Sequence, residues 1–239
     1  MPLTPEPYAV YGPFYDATQG TPSGAQYLHL LRKHHPAAKT VLELACGTGA
    51  HLARLGQHYE VEGLDSSRTM LRFARKRLPG VRFTEQSMAG FELDARFDAI
   101  VCSYDSINHL LRLGEWKDTF RAARRHLNAG GVFVFDVNTV RRLEELAAEP
   151  PWVHRFDDNY LIMDVSLARP GLSNWDITVF EHRKGDRYRL HHAVIRERAF
   201  PQERVRLALG ASFGDVRVYD ERGWSRPRKS SRRLFYVCR

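Results

Sequence analysis

At 239 residues the chain is long for one small domain and short for two, which predicts one α/β core carrying an insertion. Hydrophobic residues make up 43% and charged residues 27%, a globular balance that excludes disorder as the main state. A formal net charge of +8 raises nucleic acid or an acidic small substrate as partners. The basic residues are dispersed, however. Arg72, Arg75, Lys76 and Arg77, and again Arg121, Arg124 and Arg125, read as solvated helix faces. Only Arg226, Arg228, Lys229, Arg232 and Arg233 form a compact cluster near the C-terminus.

The elements follow in chain order. A β-branched-rich strand over residues 40–44 runs into Gly47 and Gly49, and a helix carrying Leu52 and Leu55 ends at Gly56. A second strand over 61–64 stops on Asp65, which completes a βαβ unit. Met70, Leu71, Phe73, Ala74 and Leu78 give helical spacing closed by Pro79-Gly80, and 81–83 opens a third strand. The fourth strand spans 97–102. A helix over 116–127 is then read as ending in Asn128-Ala129-Gly130-Gly131. The fifth strand, 132–137, has an unbroken apolar run apart from Asp136, which predicts burial on both faces.

After Pro150-Pro151 the pattern changes to strand-like stretches at 160–167, 175–181 and 188–200, punctuated by Pro170-Gly171 and Lys184-Gly185-Asp186. A helix over 202–209 and strands at 216–219 and 234–238 close the chain. The expected fold is α/β: an open, doubly wound, mostly parallel seven-stranded Rossmann-like sheet with an antiparallel β insertion after the fifth strand. Residues 37–150 and 201–239 form the core, 151–200 the insertion covering an acceptor site, and 1–36 an N-terminal lid or helical segment.

Glu43-Leu44-Ala45-Cys46-Gly47-Thr48-Gly49 places two glycines where a strand turns into a helix, allowing positive φ and close approach of a ligand to backbone. A dinucleotide fingerprint wants a third glycine at position 52, where Leu52 stands. A ligand with an adenosine and no phosphates fits better. Asp65, at the tip of the second strand, is placed to accept from both ribose hydroxyls, although an aspartate there also caps a following helix. Cys46, Cys102 and Cys238 are too far apart for a zinc or redox pair. No metal is expected, and a reducing cytoplasm suits them. Residues 1–10 hold three prolines and no signal-peptide pattern, and no apolar run approaches a membrane span of about 18 residues. A cytoplasmic monomer or homodimer without membrane attachment is expected.

Residues 41–88 resemble the donor-binding half of class I S-adenosylmethionine-dependent methyltransferases. Ala50-His51-Leu52-Ala53-Arg54 and Ala74-Arg75-Lys76-Arg77-Leu78-Pro79 are similar to the enzymes that dimethylate the amino group of nucleotide-linked sugars. Asp105-Ser106-Ile107-Asn108-His109-Leu110 and Phe135-Asp136-Val137-Asn138 look more like an uncharacterised bacterial group. The resemblance implies S-adenosyl-L-methionine as cofactor, with Ala45, Gly47 and Gly49 at its methionine end, Asp65 on ribose, and Met70 and Met88 flanking adenine. Ser87 stands where the family usually has an aspartate for the adenine amino group. Glu43, Cys46, Thr48, Ser66 and Ser103 complete the expected cofactor contacts with Tyr11, which lies in the lid-like Tyr11-Gly12-Pro13-Phe14-Tyr15-Asp16.

Transfer at a sulfonium needs positioning and water exclusion more than a nucleophile or metal. A proton acceptor is required if the acceptor is an amine or hydroxyl. Tyr15, Asp105 and His109 are the candidates, and strand alternation allows at most one of His191 and His192 to join them. The expected function is transfer of methyl to an N or O atom of a small molecule. Against it stand a tRNA or rRNA methyltransferase, disfavoured because Cys102-Ser103-Tyr104-Asp105 replaces the Asn-Pro-Pro-Tyr type tetrapeptide, and a catalytically silent donor-binding regulator.

Overall fold

The computed structural model describes residues 6–19 and 24–239; residues 1–5 and 20–23 of the expected N-terminal segment lie outside the described residues. Helices α1 (Pro7–Gln19) and α2 (Ala25–His34) precede β1 (Thr40–Leu44), α3 (Ala50–Leu55), β2 (Glu60–Asp65), α4 (Arg68–Arg77), β3 (Arg82–Glu85) and β4 (Phe97–Cys102). A 3-10 turn (Ser106–His109), α5 (Leu113–Arg125), β5 (Leu127–Asn138) and α6 (Val140–Ala148) follow. Next come β6 (Trp152–Phe156), β7 (Asn159–Arg169), β8 (Leu172–His182) and β9 (Tyr188–Arg198), then α7 (Gln202–Gly210), β10 (Val216–Asp220) and β11 (Arg233–Cys238).

The larger sheet has seven strands in the order β10-β11-β5-β4-β1-β2-β3. Strands β1 to β5 are parallel, and β11 runs antiparallel to both β5 and β10. Leu44 pairs with Leu64 on one side and Cys102 on the other, so the loops after β1, β2 and β4 open at one edge of the sheet, where open α/β sheets bind ligands. Alternation sorts the side chains. Leu42, Leu44, Ile100, Phe133 and Phe135 pack with Trp116 and Phe120 of α5, while Val41, Ala99, Val101, Val132 and Val134 pack with Tyr27, Leu30 and Leu31 of α2. Burial on both faces is why these strands read as continuous apolar runs.

One expected boundary is corrected. Helix α5 stops at Arg125, and Asn128-Ala129-Gly130-Gly131 belongs to β5. Leu127 pairs with Phe97 and Val132 with Ala99, so those four residues bulge opposite Asp98. Gly130 has φ +75°, and a Cβ on Gly131 would come within 3.0 Å of Asp98 O and Asn128 O. The glycines serve a strand irregularity instead of a helix terminator.

The second sheet is fully antiparallel in the order β6-β7-β8-β9. Strand β6 was not read from the sequence, and neither was α6, whose Thr139 cap accepts from Arg142 N (3.1 Å) and whose Leu143 and Leu146 pack on Val165 and Ala199. Leu161, Met163, Ile177, Val179 and Ile195 pack with Tyr11 of α1, bordered by Tyr8, Phe14 and Tyr15. Asn108 Nδ2 ties this sheet to the core by donating to Arg198 O (3.0 Å) and Asn138 O (3.1 Å). The antiparallel sheet therefore lies over the carboxyl ends of the core strands, with α1 between.

Candidate functional site

The turn after β1 holds three left-handed residues in five: Ala45 (φ 53°), Gly47 (φ 54°) and Gly49 (φ 74°). Gly49 also lets α3 approach α4, because a Cβ there would lie 3.3 Å from that of Ala74. Asp65 staples two loops: Gly47 N donates to its Oδ2 and Ser67 N to its Oδ1, both at 2.8 Å. Burial raises its pKa to about 6 against those two hydrogen bonds, with Glu6 and Glu43 adding like-charge repulsion. Glu43 is buried, and its Oε1 accepts from Ser103 Oγ at 2.5 Å and stands 2.5 Å from His51 Nδ1. The expected residues Glu43, Gly47, Asp65 and Ser103 thus meet at the ends of three adjacent strands.

Helix α1 is strapped onto this loop. Thr48 Oγ1 donates to Asp16 Oδ1 (2.6 Å), and Arg77 bridges both, donating to Thr48 O (2.5 Å) and Asp16 Oδ2 (2.6 Å). Met70 sits beneath the crossing, close enough that a Cβ on Gly12 or Gly47 would be 3.2 or 3.4 Å from it. Met88 is buried beside Cys102. The Cys46 side chain packs with Leu52 and Leu71, and burial raises its thiol pKa, so it offers the loop only backbone. Ser66 and Ser87 are exposed, and Ser87 Oγ accepts from Ala89 N (3.1 Å) within its own turn. The Tyr11 hydroxyl is held by Thr18 Oγ1 (2.6 Å) and Gln19 Nε2 (3.0 Å). No cluster of metal-ligating side chains occurs among the described residues.

Beside this loop a cavity of about 300 Å³ lies between α1, the core and the antiparallel sheet, walled by residues that include Tyr8, Tyr15, Asp105, His109, Trp175 and Glu197. All three candidate proton acceptors face it. His109 Nε2 is 3.3 Å from the Tyr8 hydroxyl, and burial lowers the His109 pKa, which favours a neutral ring. Burial instead raises Tyr15, keeping its hydroxyl protonated. Asp105 (φ 52°) is paired with Arg233 at 2.7 Å and accepts from Asn138 Nδ2 at 2.8 Å. The same Asn138 amide donates to Glu197 Oε2 at 3.1 Å. Burial, then Asp105, push the Glu197 pKa well up. Behind them the fully buried Asp136 accepts from Tyr27 (2.5 Å) and from Arg233.

Glu197, Asn138 and Arg233 were not among the expected site residues. Arg233 also corrects the C-terminal cluster. It points inward at Asp105 and Asp136, which hold its pKa up against burial, and Arg232 is spent on Glu145 (2.6 Å), leaving Arg226, Arg228 and Lys229 exposed. Of the two insertion histidines, His191 turns inward but is engaged by Glu181 (2.7 Å) and Phe14, and His192 faces out to Asp176.

A family model described as a methyltransferase domain matches residues 41–131, the glycine loop through the start of β5. The chain is 28% identical over 237 residues to YqeM of Bacillus subtilis (strain 168), covering 96% of this chain and 95% of that one. It is 38% identical over 108 residues to the dTDP-3-amino-3,6-dideoxy-alpha-D-glucopyranose N,N-dimethyltransferase of Streptomyces fradiae, covering 45% and 42%. Identity is 31% over 211 residues, 85% and 80%, with the carboxy-S-adenosyl-L-methionine synthase of Campylobacter curvus (strain 525.92). The structure of SAM-bound CalS10, an amino pentose methyltransferase from Micromonospora echinaspora, superposes with a TM-score of 0.75 at 25% identity, covering 100% and 99%. With a left-handed glycine turn and a strand-end carboxylate at the edge where such folds take their donor, the chain belongs to the S-adenosylmethionine-dependent methyltransferases.

Proposed function

We propose that this enzyme methylates a nitrogen of a small, amine-bearing molecule held in the cavity under the antiparallel sheet. The observation that carries the reading is the chemistry of that cavity: the Asp105 carboxylate beside the aromatic faces of Tyr8, Tyr15 and Trp175, with Arg142 and Arg233 also in the wall. An ionised carboxylate and aromatic rings attract an amine in its ammonium form. The sugar-amine enzymes among the relatives support the same class of acceptor. In this reading residues 151–200 roof the acceptor, and residues 1–36 contribute the lid through Tyr8, Tyr11 and Tyr15.

Donor contacts are assigned to Glu43, the 45–49 turn, Asp65, Met70, Met88 and Ser103, with Thr48 acting through Asp16 to hold α1 down. When bound, the donor supplies an electrophilic methyl on a positively charged sulfur that leaves as a neutral thioether. The chain's own groups orient the acceptor, exclude water and remove one proton. His109, kept neutral by burial and held through its other ring nitrogen by the Arg196 backbone, takes that proton on Nε2, where the incoming amine displaces the Tyr8 hydroxyl. Asp105, already tied to Arg233 and Asn138, holds the departing positive charge near the ring.

Turnover of donor is measured as release of S-adenosylhomocysteine across pooled amines, phenols, carboxylates and bulk RNA. Amines are expected to respond, and amino sugars among them. Turnover confined to RNA or to carboxylates defeats the proposal.

A further inference from the structure

The buried histidine on the first turn after the glycine loop has no assigned role. We propose that His51 is a positioning residue that aims the free carboxylate oxygen of Glu43 at the α-ammonium group of the methyl donor. This rests on the family membership and is independent of the acceptor.

The two oxygens of Glu43 are treated differently by the fold. Oε1 is saturated by two donors, His51 Nδ1 and Ser103 Oγ, each at 2.5 Å. Oε2 is buried and has no hydrogen-bond partner in the protein. A buried acceptor left unmatched is costly, and such groups persist where a ligand completes them. Glu43 sits near the end of β1, which lies between β2, bearing Asp65, and β4, leading to Ser103. With ribose at Asp65, the amino-acid end of the donor runs toward β4 and passes Glu43. The ammonium is the donor's one cationic hydrogen-bonding group, so it matches a lone carboxylate oxygen in both charge and hydrogen-bond sense.

His51 is held too tightly to serve as a passive filler. Its ring lies 4.8 Å from that of Tyr27 and 5.4 Å from that of Tyr104, and a Cβ on Gly24 would come within 2.7 Å of it. Its Nε2 is buried without a partner, so nothing draws the ring away from Glu43. Glu43 accepts, which assigns the proton to Nδ1. Removing that N–H leaves Ser103 as the single restraint on the carboxylate, which then rotates.

Calorimetry with S-adenosylhomocysteine, and with its analogue carrying hydrogen in place of the α-amino group, separates this role from a structural one. His51→Leu is expected to weaken S-adenosylhomocysteine by about tenfold or more and the deaminated analogue by less than about twofold. His51→Asn places an amide nitrogen near the Nδ1 position and restores most of the loss. His51→Gln reaches the Nε2 position instead and should behave as the leucine variant does, which keeps the test decisive if leucine fails to fold. Equal weakening of both ligands, no weakening of either, or wild-type protein that does not distinguish them overturns the proposal. Wild-type protein that binds neither ligand would count against the donor itself.

Discussion

Replacing Asp65 with asparagine separates what this carboxylate does for the fold from what it does for the donor. Burial lifts its pKa from 3.8 to about 6, so keeping it ionised at pH 7 costs the ligand-free protein about 3 kcal/mol. The sign follows from a raised acid. The penalty is present in full above pH 6 and is relieved as pH falls toward 4, so this group alone makes the ligand-free protein more stable under mild acid. The Asp65→Asn variant loses the charge and its penalty, but its amide NH2 then faces Gly47 N or Ser67 N, both donors, at a cost of about 1–3 kcal/mol. The two effects oppose, and the midpoint of thermal unfolding should move little at pH 7.

Donor affinity should move much more. Each charge-assisted hydrogen bond to ribose is worth about 1.5–3 kcal/mol, or roughly ten- to a hundredfold in Kd. Calorimetry with S-adenosylhomocysteine between pH 5 and 8 should give a wild-type affinity that is flat above about pH 6 and falls toward tenfold per pH unit below it. The asparagine variant should be weak and flat throughout. Wild-type affinity that ignores pH, or a variant that binds equally well at pH 7.5, would refute a ribose-binding Asp65.

Arg233→Met leaves Asp105 and Asp136 without the guanidinium that pairs with both, and thermal or urea unfolding should show a loss of about 3–5 kcal/mol; an unchanged midpoint would mean that these pairs add nothing to stability. Changing Arg226, Arg228 and Lys229 together to Ala, all exposed, should leave S-adenosylhomocysteine affinity and acceptor turnover unchanged with little dependence on salt. A steep salt dependence that the triple variant abolishes would indicate contacts to a phosphate backbone.

The fold was legible wherever period and punctuation agreed. The βαβ unit through Asp65 has β-branched runs bounded by Gly47, Gly49 and Gly56, and the insertion has alternating Leu161, Met163 and Val165 between turn signals. The stretch from Asn128 to Gly131 misled because a Gly-Gly pair terminates helices and permits strand bulges alike, and only the pairing with β4 decides. Strand β6 is an exposed edge of five residues with no buried alternation to announce it. The site divided the same way. Gly47, Asp65 and Ser103 follow strand ends and could be read locally. Glu197 lies two residues beyond Ile195 on an inward face, and Arg233 opens the last strand. Their partners are 92 and 128 residues away at Asp105, a distance that no local pattern encodes.

The molecule carries a net +8, yet both of its internal sites are acidic. Glu6, Glu43 and Asp65 surround the glycine turn, while at the cavity Asp105 and Asp136 share Arg233 and Glu197 is held by Asn138. Many exterior arginines are matched locally instead, as in Arg68–Glu85, Arg125–Glu92 and Arg141–Glu145. Such surface pairs contribute little stability and are screened by salt, so the overall charge says little about what enters the interior. In the proposed reaction two reactants that each bring positive charge, a sulfonium and an amine that arrives protonated, repel each other on approach. Carboxylates on both sides of the meeting point offset that repulsion before the nitrogen gives up its proton. Because attraction to the sulfonium disappears once sulfur becomes a neutral thioether, the same carboxylates bind the spent donor less tightly than the loaded one, which favours its release.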